Sequence, residues 1–155
     1  MSFLLWLQAT PIAVWVAGAD TLWAFPAILT FHTVGLGIVV GANLLVDFKL
    51  LGAAPGVSLE TLRAVYRPMW VGFAINAVTG VLLFMAGAEF TGVKLIFYVK
   101  LALIAAALVV GIKVKRLVFD EPGGLARPDR ARTLAVVSVI LWLAAIVAGR
   151  YTAYV

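Results

Sequence analysis

The chain has no cysteine, one histidine and seven carboxylates among its 155 residues. Without cysteine there can be no disulfide, no thiolate metal site and no iron–sulfur cluster. A lone histidine with so few carboxylates also excludes a multi-histidine metal centre built by one chain. Charge is scarce: 12% of the residues are Asp, Glu, Lys or Arg, about half of the roughly 25% usual in a soluble domain. Hydrophobic residues make up 65%, the mean hydropathy is +1.12, and apolar runs of about twenty residues, enough for a helix to cross a bilayer, recur along the chain. This is the composition of an integral membrane protein. The net charge of +5 does not point to nucleic acid, because the basic residues flank apolar runs, where they orient insertion and meet anionic head groups.

The opening stretch, "MSFLLWLQATPIAVWVAGA", has no lysine or arginine ahead of its apolar run, as a secretory signal would need. Gln8 and the Thr10-Pro11 step break it, and Pro11 suits a first helical turn with Thr10 as cap. Two short helices lying at the membrane surface over residues 1–19 are expected, a broken fifth span being the alternative. Four spans are expected over about 21–46, 68–87, 93–112 and 133–149. Asp20 can cap the first, Trp23 can sit at its interface, and Pro26 falls near its first turn. Between the first two spans, "DFKLLGAAPGVSLETLRAVYR" reads as a turn and a short amphipathic helix capped by Ser58. The short "AGAEFTG" makes the third span an antiparallel neighbour of the second, and a polar loop, "FDEPGGLARPDRAR", leads to the fourth. The expectation is one all-α domain over residues 1–155, a transmembrane four-helix bundle with a short amphipathic N-terminal segment.

Basic residues set the orientation. Lys49, Arg63 and Arg67 lie between spans one and two, and Lys113, Lys115, Arg116, Arg127, Arg130 and Arg132 between spans three and four. Lys94 and Arg150 lie on the other side, with Lys100 sunk in span three. This imbalance puts both termini outside. In a bacterium that means a multi-pass inner (plasma) membrane protein with periplasmic termini.

His32 lies about nine residues beyond Trp23, hence about 13 Å below the outer interface. Leu29, Gly35, Leu36, Val39, Asn43 and Asp47 share its helix face. Gly37 and Gly41 fall on the opposite face as a GxxxG pattern, suited to close packing within the bundle or between protomers, while Gly35 is expected to clear space beside the imidazole. In span two, Gly72, Asn76, Thr79, Gly80 and Gly87 share a face, with Thr79 and Gly80 at about the depth of His32. Such a face can accommodate a flat macrocycle or serve tight helix packing. Lys100 is about 10 Å deep, where an amine must snorkel, pair with an anion or face a wet cavity. With Arg150 it provides cations in the outer half, and haem presents propionate carboxylates near an interface while its iron needs a deeper imidazole. Against that stands a histidine simply hydrogen-bonded to Thr79 or to a backbone carbonyl. Met69 and Met85 are second ligands only on paper, Met69 lying at the inner end and Met85 pointing away from the Asn76 stripe. A haem would then be five-coordinate, or shared across a dimer with His32 from each chain.

"LWAFPAILTFHTVGLGIVVGANLLVDFKLLG" resembles the signature of a family of small bacterial four-span membrane proteins of uncharacterised role: an aromatic-Pro step, a histidine, then a glycine-rich helix ending in an acidic residue and a leucine pair. The resemblance continues through "WVGFAINAVTGVLLF", "VKLALIAAALVV" and "LWLAAIVAGRYTAY", covering nearly everything beyond residue 20. More distantly, the chain is similar to copper-resistance D-type membrane proteins and to the bacterial protoporphyrinogen oxidase of the haem pathway. It lacks the further histidines and methionines of a copper carrier, so these likenesses imply haem b on a membrane histidine.

The leading expectation is a small b-type-cytochrome-like protein. His32 is its axial ligand, Lys100 and Arg150 pair the propionates, and Gly35, Asn76, Thr79 and Gly80 shape the pocket. It would move electrons at the periplasmic side, between quinone and a partner redox protein, as a homodimer or with a partner subunit. Two alternatives stand beside it: a cofactor-free anchor or subunit of a larger membrane complex, and a small-molecule or proton pathway along His32, Asn43 and Asp47.

Overall fold

A computed structural model describes residues 3–121, 128–152 and 154. Arg127, one of the residues used for orientation, and the loop segment 122–127 around it lie outside the described residues. The chain forms α1 (Phe3–Gln8), α2 (Pro11–Gly18), α3 (Phe25–Leu50), α4 (Leu59–Ala86), α5 (Ala88–Thr91), α6 (Leu95–Phe119) and α7 (Pro128–Tyr151). No strand occurs among the described residues. The long helices α3, α4, α6 and α7 are apolar enough to cross a membrane. Only 6% to 33% of each span's apolar window is buried inside the molecule. Helices apolar all round and covered so little by their own chain need lipid to cover the rest.

The spans run past their expected ends, chiefly where the basic residues lie. The amphipathic helix expected after Ser58 and the second span are one helix, α4, with Pro68 inside it. Pro68 removes one backbone donor, but Leu62, Tyr66, Met69, Gly72 and Thr79 keep a single buried face across it, and that packing holds the helix together. Ser58 caps it as expected, its Oγ accepting from Thr61 N at 3.0 Å. Likewise α6 continues through "KVKR", because Val114, Leu117 and Val118 are buried between the exposed cations. Asp20 caps nothing: α3 begins after Ala24 with Pro26 in its first turn. Thr10 precedes Pro11 as expected, yet its hydroxyl donates back to Leu7 O at 2.7 Å instead of capping α2.

The spans assemble as two close antiparallel pairs, α3 with α4 and α6 with α7, joined where α3 packs on α7. Between α4 and α6 runs a seam bridged by long side chains. Phe84 stacks on Phe97 at 5.0 Å near one end, and Tyr66 meets Phe119 edge-on at 5.8 Å near the other. The end with Tyr66 carries the interhelical cations and is called the basic end. The other, the terminal end, carries α1 and the end of α7. There α1 packs on α5 and α2 on α4, with Ala13 and Val16 buried and Gln8 Oε1 accepting from Glu89 N at 2.9 Å. At 6 and 8 residues, α1 and α2 are each too short to span a bilayer.

Candidate functional site

His32 is half-buried in the terminal half of α3, about 10 Å past its start, and it faces α4. The two helices approach closely because Gly35 and Gly72 meet: a Cβ on Gly35 would lie 2.8 Å from the Gly72 carbonyl oxygen and 2.9 Å from Asn76 N. Gly35 is therefore spent on backbone contact and does not open space beside the imidazole. That contact brings the ring of His32 onto the small-residue face of α4, with Cε1 3.1 Å from where a Gly80 Cβ would stand. Gly80 is covered by the imidazole, and so is not free to wall a macrocycle.

The hydrogen bonds fix the ring. His32 Nδ1 lies 3.0 Å from Asn76 O and 3.1 Å from Thr79 Oγ1. The Asn76 carbonyl only accepts, so the shorter contact assigns the proton to Nδ1, the tautomer in which the longer approach of Asn76 Nδ2, at 3.3 Å, is not a hydrogen bond. Thr79 Oγ1 spends its own hydrogen on Ile75 O at 2.6 Å, which leaves its lone pairs facing Nδ1–H. Asn76 Nδ2 donates to His32 O at 2.7 Å, clamping the α3 backbone at the same residue. The hydrogen bonds weighed against a cofactor thus both exist, and both fall on Nδ1. Nε2, the lone-pair nitrogen of this tautomer, makes no hydrogen bond among the described residues. An imidazole held by an Nδ1–H···O=C bond with Nε2 open is arranged as metal-ligating histidines are.

Lys100 reaches the same region from α6. Its Cδ stands 3.3 Å from a Gly149 Cβ position on α7. Nζ lies 5.2 Å from the centre of the Phe97 ring, with no hydrogen bond or carboxylate partner among the described residues. Arg150, next to Gly149, is exposed at the terminal end and lies 5.1 Å over the Tyr154 ring. Lys94 is anchored elsewhere, donating to Thr152 O at 2.9 Å. His32 and Lys100 therefore both lie in the terminal half, with Arg150 at its rim and Asn76, Thr79 and Gly80 as the cradle of the imidazole. Leu29, expected on the inward face, is exposed. Met69 does not reach the His32 site as a second ligand: its sulfur accepts from Asn43 Nδ2 at 3.3 Å in the other half of the bundle.

A second polar group was only partly legible in the sequence. Asp47, Ser138 and Trp142 are at most 2% exposed, and Asp47 Oδ2, Ser138 Oγ and Trp142 Nε1 have no hydrogen-bond partner within 3.5 Å among the described residues, although Ser138 faces Asp47. Asp47 stands on α3, the others one turn apart on α7, the helix packed against it. The spacing of Ser138 and Trp142 inside an apolar span was the available signal. Asp47 is also in the last turn of α3, where the helix dipole disfavours negative charge. Such a carboxyl costs stability and marks a place the fold does not explain by packing.

No family model, no curated protein and no solved structure matches the chain.

Proposed function

We propose that the chain is a small b-type-cytochrome-like membrane protein, with His32 Nε2 as axial ligand to haem b and Lys100 and Arg150 as the cations facing the propionates. The observation that carries this reading is the division of labour on one ring: Nδ1–H is bonded to Asn76 O and Thr79 Oγ1, and Nε2 is left open. Donor chemistry narrows what it binds. With one histidine and no cysteine, and no cluster of three or more His, Cys, Asp or Glu among the described residues, the chain has too few ligands for a bare transition-metal ion. A porphyrin brings four equatorial nitrogens of its own, so one imidazole suffices. Lys100, a cation inside an apolar span without an anionic partner among the described residues, matches the carboxylates such a group carries.

Bound haem would supply one-electron redox chemistry; the protein's part is to hold the imidazole in one tautomer and orientation. The hydrogen bond to the Asn76 carbonyl makes Nε2 a better electron donor, and apolar surroundings exclude water. The site lies in the terminal half, so exchange with quinone or a redox partner would take place on that side, the periplasmic side under the expected orientation. With one histidine per chain, a second imidazole would have to come from His32 of a second copy.

The test is optical. Protein purified in detergent from haem-replete cells is expected to show a dithionite-reduced minus oxidised b-type spectrum and a pyridine haemochrome, both lost in His32→Ala. A low-spin spectrum indicates a second strong ligand, which is His32 of a second copy if the haem protein also runs as a dimer; a high-spin one indicates a single histidine. A colourless preparation sinks the reading and leaves the membrane-subunit alternative, which the open Gly37 and Gly41 ridge of α3 favours. Colour that survives His32→Ala sinks the ligand assignment alone.

A further inference from the structure

The seam between α4 and α6 widens at the basic end into a groove. One cavity there, of about 370 Å³, reaches from buried Asn43 past Met69, Leu108 and Ile112 to Lys115 and Arg116. A second, of about 340 Å³, is bordered by Arg63 and Arg67. The two adjoin one another at Tyr66, Trp70, Lys115 and Asp120, with Met69, Leu108 and Ile112 on the inner wall and the cations at the mouth. Each has the volume of a ligand site.

The sequence builds this groove from two matching stripes. Arg63, Tyr66, Arg67 and Trp70 stand at i, i+3, i+4 and i+7 on α4; Ile112, Lys115, Arg116 and Phe119 repeat that spacing on α6. Each stripe places its cations on one helix face beside an aromatic ring. Arg63 lies 5.4 Å over Phe119, and Lys115 lies 5.7 Å over Tyr66. Ring faces hold these cations in place without consuming their N–H donors. No carboxylate does so: the one ion pair among the described residues is Arg130 with Glu121. Four cations thus face the single carboxylate of Asp120 at the mouth of an apolar cleft. Orientation during insertion needs basic residues at this end, but it does not need them gathered around a cavity between two spans.

We infer that this groove is a binding site for one anionic phospholipid, its phosphate on Arg63, Arg67, Lys115 and Arg116 and an acyl chain against Trp70, Leu108 and Ile112. The charge at the mouth selects an anion, and the apolar interior selects one that carries a chain. Basic pockets between transmembrane helices hold lipid head groups in this way. The inference is independent of the haem reading, because the groove lies in the half of the bundle away from His32.

Native mass spectrometry of the detergent-purified protein, incubated with phosphatidylglycerol or phosphatidylcholine, tests it. One phosphatidylglycerol is expected to remain bound where phosphatidylcholine does not. Arg67→Gln with Arg116→Gln should weaken it by about thirtyfold. Lys113→Gln with Arg132→Gln removes the same charge outside the groove and should leave binding unchanged. A third variant, Leu108→Trp, fills the chain-binding part and should lose the lipid with all cations in place. Circular dichroism checks that each variant is folded. Equal retention of both lipids, equal loss in the two charge variants, or displacement by inorganic phosphate alone would each overturn the proposal.

Discussion

At the scale of single residues, the imidazole of His32 has been given two different environments by one neighbour helix. Thr79 and the Asn76 carbonyl hold one nitrogen, and the absence of a side chain at Gly80 lets the ring approach α4 closely. Gly80→Ala places a methyl 3.1 Å from Cε1, so the ring must move by a few tenths of an ångström. The expected result is a shifted absorption maximum and midpoint potential of any bound haem, with the fold intact by circular dichroism. An unchanged spectrum would mean that this contact does not position the ligand. Asp47 makes the opposite kind of prediction. Its buried Oδ2 has no hydrogen-bond partner within 3.5 Å among the described residues, so Asp47→Asn, which cannot ionise, is expected to raise stability by about 1 kcal/mol. Thermal unfolding in detergent reads this directly, and a lower midpoint in the variant would show that the carboxylate is paired after all.

At the scale of elements, the glycines of α3 separate into two groups that sequence spacing could distinguish but not assign. Gly35 touches the backbone of α4, which cannot swing aside as a side chain would. Gly35→Ala is expected to cost about 1–3 kcal/mol by overpacking, seen as a lower unfolding midpoint. Gly37 and Gly41 have nothing within 4 Å of a built Cβ, so GxxxG is not the contact that closes this bundle. Gly37→Ala and Gly41→Ala should leave the midpoint unchanged or slightly higher, since alanine is the better helix former. Should the ridge pair two copies, the same variants will lose the crosslinked dimer without losing the fold. A fall in midpoint as large as that of Gly35→Ala would refute the assignment of faces.

For the molecule as a whole, the long helices divide its length into a terminal half with His32 and Lys100 and a basic half with the groove. Orientation follows from where the cations lie, and the absence of cysteine makes it simple to measure. Ser58→Cys at the basic end and Tyr154→Cys at the terminal end each create the chain's sole thiol. In intact cells a membrane-impermeant maleimide is expected to label Tyr154→Cys and to reach Ser58→Cys only after permeabilisation. The reverse pattern would invert the topology and put the His32 site on the cytoplasmic side.

The membrane character, the helical class and the long spans were already determined by the sequence, because a bilayer demands apolar runs of a set length whatever they pack against. Ser58 as a cap and Pro11 at a helix start were local matters for the same reason. The ends of α4 and α6 were not: apolar residues spaced among "LETLRAVYRP" and "KVKRLVF" continue a buried face, and only packing across the bundle shows that the face is used. Tertiary structure also decided which small residues matter. It turned Gly35 from a space beside the imidazole into a helix contact, turned Asn76, Thr79 and Gly80 from a pocket wall into the cradle of His32, and joined stripes forty-nine positions apart on α4 and α6 (Arg63 to Ile112) into one groove. Periodicity tells which residues share a face of one helix; which face meets which neighbour depends on how the helices cross.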